Sequence, residues 1–160
     1  MTIPEWLPSL VLLKDSKGDW QEYLNVLYEI FKSDFINSKC QYRGIKIAIK
    51  KHPQIDNKEA TFWHLISEGK EEDERTPDLR RCERIRWPKP IIEKVPDKEI
   101  KVWQNKRGGE TRLCIWLENA EYLVVLAERK NYLLLWTAYT VTKNHRKRKL
   151  QKEYESSLKS

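Results

Sequence analysis

Residues 112–141 read RLCIWLENAEYLVVLAERKNYLLLWTAYTV, and their composition is typical of antiparallel sheet. Three runs rich in apolar, aromatic and β-branched residues occupy Arg112–Leu117, Tyr122–Glu128 and Tyr132–Val141. The connections over 118–121 and 129–131 are short enough for hairpins. A shorter strand over Glu99–Gln104 precedes them, and a Gly-Gly turn at 108–109 separates it from the first run. The segment therefore predicts a four-stranded antiparallel meander.

Helices dominate the predicted structure before this meander, and one more helix follows it. Between Asp19 and Phe35, apolar residues recur at three- and four-residue spacing, and Asp19 is a candidate N-cap. The other predicted elements are a strand over Gly44–Lys50, a helix over Lys58–Glu68 closed by Gly69, a loop over 71–74, a helix that Thr76 caps and that ends before Trp87, a rigid proline-rich connection over 88–97, and a helix over His145–Ser156. These elements predict an α+β fold class, in which N-terminal helices pack on the meander and a basic helix ends the chain.

The length of 160 residues suits one domain with one core. We expect that domain to span 1–160, with an N-terminal arm over 1–18 and a basic C-terminal helix or tail over 143–160. No apolar run approaches the roughly 18 residues that a membrane span needs, and the N-terminus lacks the pattern of a signal peptide. We therefore expect a cytoplasmic location and no membrane partner. The three cysteines are widely spaced without a CxxC pair, which favours reduced, buried thiols over a disulfide framework or a zinc site.

The net charge of +7 is unevenly distributed along the chain. Residues 141–160 hold seven basic and two acidic groups, and residues 75–90 hold six basic and two acidic groups. The remaining residues therefore carry a net charge of −2. Two basic concentrations on a slightly acidic body favour a polyanionic partner, with phosphate as the ligand. The alternative is that both concentrations are ordinary solvated helix faces.

His64 is a candidate for proton transfer because it lies on the polar face of the helix predicted over Lys58–Glu68. The apolar arc of that helix consists of Phe62, Trp63, Leu65 and Ile66. His64 falls nearly opposite the centre of this arc, so we expect its ring to face solvent, another element or a cleft. The ordinary pKa of histidine suits proton transfer near neutrality. The alternative is a surface histidine without a role.

Three arginines, Arg80, Arg81 and Arg84, fall on one side of the next predicted helix. Arg80 and Arg84 are like charges four residues apart, an arrangement that becomes favourable when phosphate oxygens or carboxylates lie in front of it. The alternative is that these arginines pair with the acidic run over 71–74. The two interpretations are compatible, because an acidic loop could shield the arginines until a ligand arrives.

The last predicted strand changes character along its length. By period-two alternation, one of its faces consists of Leu133, Leu135, Thr137, Tyr139 and Val141. The hydroxyl groups of Thr137 and Tyr139 are suited to donate hydrogen bonds to a phosphate or a base, and a tyrosine ring can stack on a base. The alternative is a core strand that emerges into solvent. Arg107 and Arg112 flank the Gly-Gly turn and are candidates for a nucleic-acid clamp.

Several catalytic motifs are absent from the sequence. It has no glycine-rich phosphate loop, no paired-carboxylate metal motif, no HExxH and no GxSxG. The only cluster of acidic residues is the contiguous run over 71–74. We therefore expect no cofactor and no metal ligands, and the inventory favours metal-free chemistry with histidine, arginine and hydroxyl groups.

The order of these parts resembles a known group of enzymes. A helix carries His64, a segment holds Arg80 and Arg84, a meander follows, its last strand contains Trp136-Thr137-Ala138-Tyr139, and HRKRKL over 145–150 comes next. Over roughly residues 45–155 this layout resembles the small ribonucleases of the barnase–EndoU–colicin–RelE superfamily, especially those associated with phages and plasmids. The resemblance implies a nuclease-like domain.

The resemblance implies metal-independent cleavage of RNA (tRNA or mRNA) by its own 2′-hydroxyl, which leaves a 2′,3′-cyclic phosphate. His64 would then be general base or acid, Arg80 and Arg84 would hold the scissile phosphate, and Thr137 and Tyr139 would orient it. The residues that would bind the rest of the RNA are Arg81, Arg107, Arg112, Lys143, His145, Arg146, Arg148 and Lys149. Such enzymes commonly act as toxins, so an acidic antitoxin or immunity protein is an expected partner. The alternative is a nucleic-acid-binding or regulatory module without catalysis.

Overall fold

The four strands of the predicted meander lie side by side in a larger sheet. The computed structural model describes residues 2–159. Its strands are β1 Gln41–Tyr42, β2 Ile45–Ile49, β3 Ser67–Glu68, β4 Thr76–Pro77, β5 Ile100–Arg107, β6 Glu110–Leu117, β7 Tyr122–Glu128 and β8 Leu133–Thr140. Its α-helices are α1 Trp20–Phe35, α2 Ala60–Ile66, α3 Leu79–Glu83, α4 Pro88–Lys94 and α5 Asn144–Leu158. The fold class is α+β, as the sequence predicts.

The main sheet has six strands in the order β1-β2-β8-β7-β6-β5. Strands β5 to β8 are antiparallel neighbours, but β2 adds to β8 in parallel, with Ile47 opposite Leu133 and Ile49 opposite Leu135. The prediction of a four-stranded antiparallel sheet is therefore wrong in size and type. Parallel pairing joins segments that are distant in the chain, so no local turn signals it. By contrast, a two-residue turn joins β1 to β2, and its residues Arg43 and Gly44 both have positive φ angles.

The second and third predicted helices have different boundaries in the structure. The helix predicted over Lys58–Glu68 stops at Ile66, because Ser67 is extended and pairs with Pro77 in the small sheet of β3 and β4. As a result the third helix starts at Leu79, where Asp78 rather than Thr76 is the N-cap, and it ends at Glu83. Asp19 caps α1 as predicted.

The prediction of a rigid connection over 88–97 is wrong for most of that segment. Residues Pro88–Lys94 form α4. Both Pro88 and Pro90 lie in the first turn, where the backbone N–H groups have no partner within the helix, so the missing donors of proline cost nothing. Prolines thus begin this helix rather than prevent it.

The sheet separates two apolar clusters. On one face, α1, α2 and α4 cover the main core, whose largest fully buried side chains include Tyr23, Phe31, Phe62 and Tyr122. On the other face, α5 covers a smaller cluster that contains Trp103, Trp116 and Leu150. The N-terminal helices therefore pack on the sheet as predicted, and the basic helix covers its opposite side. In the part of the chain that the structure describes, no helix has the length and apolar character of a membrane span.

Candidate functional site

The candidate site begins at the point where β8 loses its neighbour β2. Pairing between β2 and β8 ends at Leu135, and α2 covers the edge of β8 beyond it. Thr61 Oγ1 donates to the Leu135 carbonyl at 3.4 Å, and Thr137 Oγ1 donates to the His64 carbonyl at 3.1 Å. The Thr61 hydroxyl thus satisfies a β8 carbonyl that a further strand would have paired, and the Thr137 hydroxyl satisfies a carbonyl in the last turn of α2. This arrangement fixes His64 against β8.

A β-bulge at Trp136 turns the second half of β8. Val125 and Leu126 of β7 face Thr137 and Leu135, so Trp136 is an extra residue on β8. Leu133, Leu135 and Ala138 belong to the main core, whereas Trp136, Tyr139 and Val141 pack with the cluster under α5. The predicted single face over Leu133, Leu135, Thr137, Tyr139 and Val141 is therefore wrong, because one extra residue reverses the alternation.

The ring of His64 is buried between β8 and the acidic run. Only 4% of the residue is exposed, and its Nδ1 atom donates to the Trp136 carbonyl at 3.1 Å. Its Nε2 atom lies 2.8 Å from Glu72 Oε1 and 3.1 Å from Glu72 Oε2. The ring therefore faces another element, which is one of the three surroundings that its position on the polar face of α2 allows. Glu72 itself belongs to a short 3₁₀ turn, Glu72–Glu74, within the predicted loop.

Burial and Glu72 act in opposite directions on the pKa of His64. Burial is the larger effect and lowers the pKa, while the Glu72 carboxylate offsets part of the shift. A carbonyl oxygen only accepts hydrogen bonds, so Nδ1 carries a proton. In the neutral ring Nε2 then has no proton, and its lone pair faces the Glu72 carboxylate. The contact is attractive only while a proton lies on Nε2 or is shared with the carboxylate. Loss of that proton therefore weakens the hold of His64 on Glu72.

Two arginines close the other side of the site. Arg81 Nη1 donates to the Ser67 carbonyl at 2.7 Å and to the His64 carbonyl at 3.0 Å. Arg75 Nη2 donates to the same Ser67 carbonyl at 2.5 Å, and Arg75 Nη1 donates to the Gly69 carbonyl at 2.7 Å. Burial lowers the pKa of Arg75, and the neighbouring Arg81 adds to the effect. Both guanidinium groups thus satisfy carbonyls at or just beyond the C-terminal end of α2.

These side chains surround a cavity of about 350 Å³, which we call the His64 pocket. Its lining consists of His64, Glu68, Gly69, Lys70, Glu72, Arg75, Arg81, Trp136, Thr137 and Tyr139. The Arg81 guanidinium lies 5.2 Å from the centre of the Tyr139 ring. An imidazole, a partner carboxylate, two guanidinium groups and two hydroxyl groups therefore meet in one cleft. Titratable groups with shifted pKa values in a cleft are candidates for a functional site.

Not all of the predicted site residues reach this pocket. His64, Arg81, Thr137 and Tyr139 line it, whereas Arg80 and Arg84 lie outside it. Arg80 is exposed, and Arg84 lies over the Trp87 ring with 5.1 Å between the guanidinium carbon and the ring centre. Because α3 ends at Glu83, the predicted common arc of three arginines does not form.

Two residues of the pocket, Glu72 and Arg75, were not singled out from the sequence. Glu72 is one of four consecutive acidic residues, and nothing in their spacing distinguishes it from its neighbours. It meets His64 because β3 and β4 pair and thereby fold the 69–75 segment back over α2. Only the pairing of two very short strands brings Glu72 to His64, and no local sequence pattern predicts that pairing.

A second, smaller cavity lies on the α5 side of the sheet. It has a volume of about 110 Å³, and we call it the α5 cavity. Four of the predicted RNA-binding residues line it, namely Arg107, Arg112, Arg146 and Lys149. Lys143, His145 and Arg148 are exposed and do not line it.

Within residues 2–159, no three His, Cys, Asp or Glu side chains cluster closely enough to hold a metal ion. No protein-family model, curated protein or solved structure matches this chain.

Proposed function

We propose that this protein is a metal-independent endoribonuclease whose reacting centre is the His64 pocket. The observation that carries the proposal is the contact between His64 Nε2 and the Glu72 carboxylate inside a cleft lined by Arg75 and Arg81. Cleavage by the 2′-hydroxyl needs a group that takes its proton, a group that protonates the leaving oxygen, and cations that stabilise the charged phosphate. The pocket contains side chains suited to each role: His64 and Glu72 for proton transfer, and Arg75 and Arg81 as the cations.

In the proposed reaction, His64 and Glu72 are the two proton-transfer groups. One of them removes the proton of the 2′-hydroxyl, whose oxygen then bonds to phosphorus. The bond from phosphorus to the 5′-oxygen breaks, and the other group supplies the proton to that oxygen. The products are a 2′,3′-cyclic phosphate and a 5′-hydroxyl end. The exchange balances when the pair holds one proton as RNA enters: the group that carries this proton is the acid, and the other group is the base.

The two proton-transfer groups touch each other, so RNA has to enter between them. The Glu72 side chain is 30% exposed and belongs to the exposed acidic turn, whereas His64 is fixed by the Trp136 carbonyl. Glu72 is therefore the group that moves. Until Glu72 moves, the acidic turn shields the arginines from solvent anions, as the charge pattern of the sequence suggests.

Arg75 and Arg81 take the phosphate-holding role that the resemblance implies for Arg80 and Arg84. Both line the pocket and both are held by backbone carbonyls, so their guanidinium groups are positioned before the substrate arrives. Thr137 and Tyr139, on the bulged part of β8, complete the lining. An RNA substrate, a toxin role with an acidic antitoxin as partner, and a cytoplasmic location belong to the same proposal.

The proposal is tested by incubating purified protein with total RNA in the presence of EDTA. We expect discrete fragments that end in a 2′,3′-cyclic phosphate. The variant His64→Gln should lose this cleavage by about 100-fold or more, while His52→Gln, which changes an exposed histidine, should retain it. Far-ultraviolet circular dichroism of each variant verifies that it is folded. Cleavage that EDTA abolishes, or full activity of folded His64→Gln, contradicts the proposal.

A nucleic-acid-binding module without catalysis is the second candidate, and one observation favours it. Both ring nitrogens of His64 already have protein partners, and Arg75 and Arg81 already donate to protein carbonyls. These contacts are also what a purely structural site would show. RNA binding without fragments in the same EDTA experiment supports this second function.

A further inference from the structure

The α5 cavity carries an excess of positive charge. Of its four basic residues, Arg112 pairs with Glu110 at 3.1 Å. Within residues 2–159, Arg107, Arg146 and Lys149 have no carboxylate within 4 Å. Unpaired cations that converge on one cavity favour an anion there, because each would otherwise repel its neighbours.

The one carboxylate in the lining does not neutralise these cations. Glu153 Oε1 accepts hydrogen bonds from Trp103 Nε1 and from Asn105 Nδ2, both at 3.1 Å. Neutral donors thus occupy that oxygen, and they hold Glu153 at the wall of the cavity. The same amide of Asn105 leaves its Oδ1 atom buried and without a hydrogen-bond partner among the described residues. A buried acceptor of this kind calls for a donor from a ligand or from water.

The α5 cavity and the His64 pocket share a wall. Trp136, Thr137 and Tyr139 line both cavities. On one side the Tyr139 ring lies under the Arg81 guanidinium, and on the other side Arg146 Nη2 lies 3.5 Å from the Tyr139 hydroxyl. A strand bound in the His64 pocket therefore reaches the α5 cavity by passing over Tyr139.

We propose that the α5 cavity is a second phosphate site, which binds a backbone phosphate of the same RNA strand that reacts at His64. Arg107, Arg146 and Lys149 neutralise the phosphate. The identity of the ligand as RNA rests on the proposed function, whereas the site for a phosphate group rests on the cavity alone. The basic C-terminal helix thus contributes a defined subsite in addition to a diffuse positive field.

The test compares two double variants that each remove two positive charges from the same part of the chain. Arg146→Gln/Lys149→Gln changes the cavity, and Lys143→Gln/Arg148→Gln changes exposed residues outside its lining. The probe is a short single-stranded RNA with 2′-O-methyl groups, which cannot be cleaved, and its affinity is measured over a range of salt concentrations. This design makes binding independent of catalysis.

We expect the cavity variant to bind at least about tenfold more weakly, with a salt dependence that is shallower by about 0.7 in the logarithmic slope, since the loss of one phosphate contact to a single strand removes about that much. The control variant should lose clearly less affinity. Equal losses of RNA affinity in the two variants would mean that the basic helix attracts RNA without a defined site, and would overturn the proposal. Inorganic phosphate, titrated into the wild-type protein by NMR, should shift the Asn105 side-chain amide.

The two proposals fail separately. If the cavity variant loses RNA affinity but His64→Gln cleaves normally, the phosphate site stands and the proposed active site does not. If His64→Gln loses cleavage and the two charge variants behave alike, the active site stands and the phosphate site does not. A phosphate titration without any shift at Asn105 also counts against the site.

Discussion

The His64 pocket and the α5 cavity flank the same bulged segment of β8, yet they use their charged groups differently. In the His64 pocket, Arg75 and Arg81 donate to backbone carbonyls and His64 contacts Glu72. In the α5 cavity, three basic side chains have no acidic partner within the described part of the chain, and Glu153 accepts from neutral donors.

This difference follows from burial. A charge that is removed from water needs partners within the protein, so the charged groups of the His64 pocket are also part of the fold. The α5 cavity lies beside exposed residues of a surface helix, where water can solvate an unpaired cation until a ligand replaces it. Substitutions in the first region should therefore cost stability, and substitutions in the second should cost affinity.

The largest expected effect on stability is that of Arg81→Leu. This change removes charge-assisted hydrogen bonds to the Ser67 and His64 carbonyls, so we expect the free energy of unfolding to fall by about 2–3 kcal/mol. Arg146→Leu, in the α5 cavity, should change it by less than about 0.5 kcal/mol. Urea unfolding measures both values. Similar losses in the two variants would remove the distinction between the two regions.

The pH dependence of stability tests whether His64 is buried without its charge. Because burial lowers the pKa of His64 below its ordinary value of 6.5, the unfolded chain binds a proton more readily than the folded one. The contribution of His64 is therefore complete above pH 6.5 and is lost as the pH falls toward the lowered pKa. Urea unfolding across this range should show that the free energy of unfolding falls as the pH falls, and that the fall is smaller in His64→Gln. An equally large fall in that variant would exclude His64 as its source.

A smaller effect is expected for Thr137→Val, which keeps the shape of the side chain and removes its hydroxyl. The hydrogen bond from Thr137 Oγ1 to the His64 carbonyl is lost, so the free energy of unfolding should fall by about 1 kcal/mol. The measurement is again urea unfolding, with Thr140→Val on the same strand as the comparison. If Thr140→Val destabilises the protein as much, the contact between α2 and β8 is not the reason.

The smallest expected effect on stability is that of Tyr139→Phe. The Tyr139 hydroxyl has a single long contact, 3.5 Å from Arg146 Nη2, so its removal should change the free energy of unfolding by less than about 0.5 kcal/mol. RNA affinity should nevertheless decrease, because this hydroxyl lies between the two cavities. Fluorescence anisotropy with the uncleavable RNA measures the decrease. Wild-type affinity in Tyr139→Phe would mean that the strand does not pass over this residue.

The sequence predicts the parts of the fold that depend on neighbouring residues. Runs rich in apolar, aromatic and β-branched residues identify β6 to β8, and a shorter run before the Gly-Gly turn identifies β5. The position of His64 opposite the apolar arc of α2 leaves open whether its ring faces solvent, another element or a cleft, and in the structure it faces another element. The bulge at Trp136 escapes prediction, because a single extra residue has no local signature and depends on the pairing with β7. For the same reason, the predicted alternation of side chains along the last strand places Val141 on the wrong face of the sheet.

The partners of His64 depend on contacts between distant segments. Glu72 reaches the ring because Ser67 pairs with Pro77, and both strands of that pair have only two residues. Arg81 lines the pocket and Arg80 does not, although both lie in α3, and Arg84 lies beyond the end of that helix. A charge pattern can therefore indicate that a basic site exists, while the folded chain determines which arginine enters it.

The most direct test of the central claim compares Glu72→Gln with Glu74→Gln in a cleavage assay that contains EDTA. Both variants remove one charge from the same acidic turn, but only Glu72 contacts His64. If the His64 pocket is the reacting centre, Glu72→Gln should cleave RNA about 100-fold more slowly than the wild type, and Glu74→Gln should cleave at the wild-type rate. Equal rates in the two variants, with cyclic phosphate ends still formed, would contradict the account.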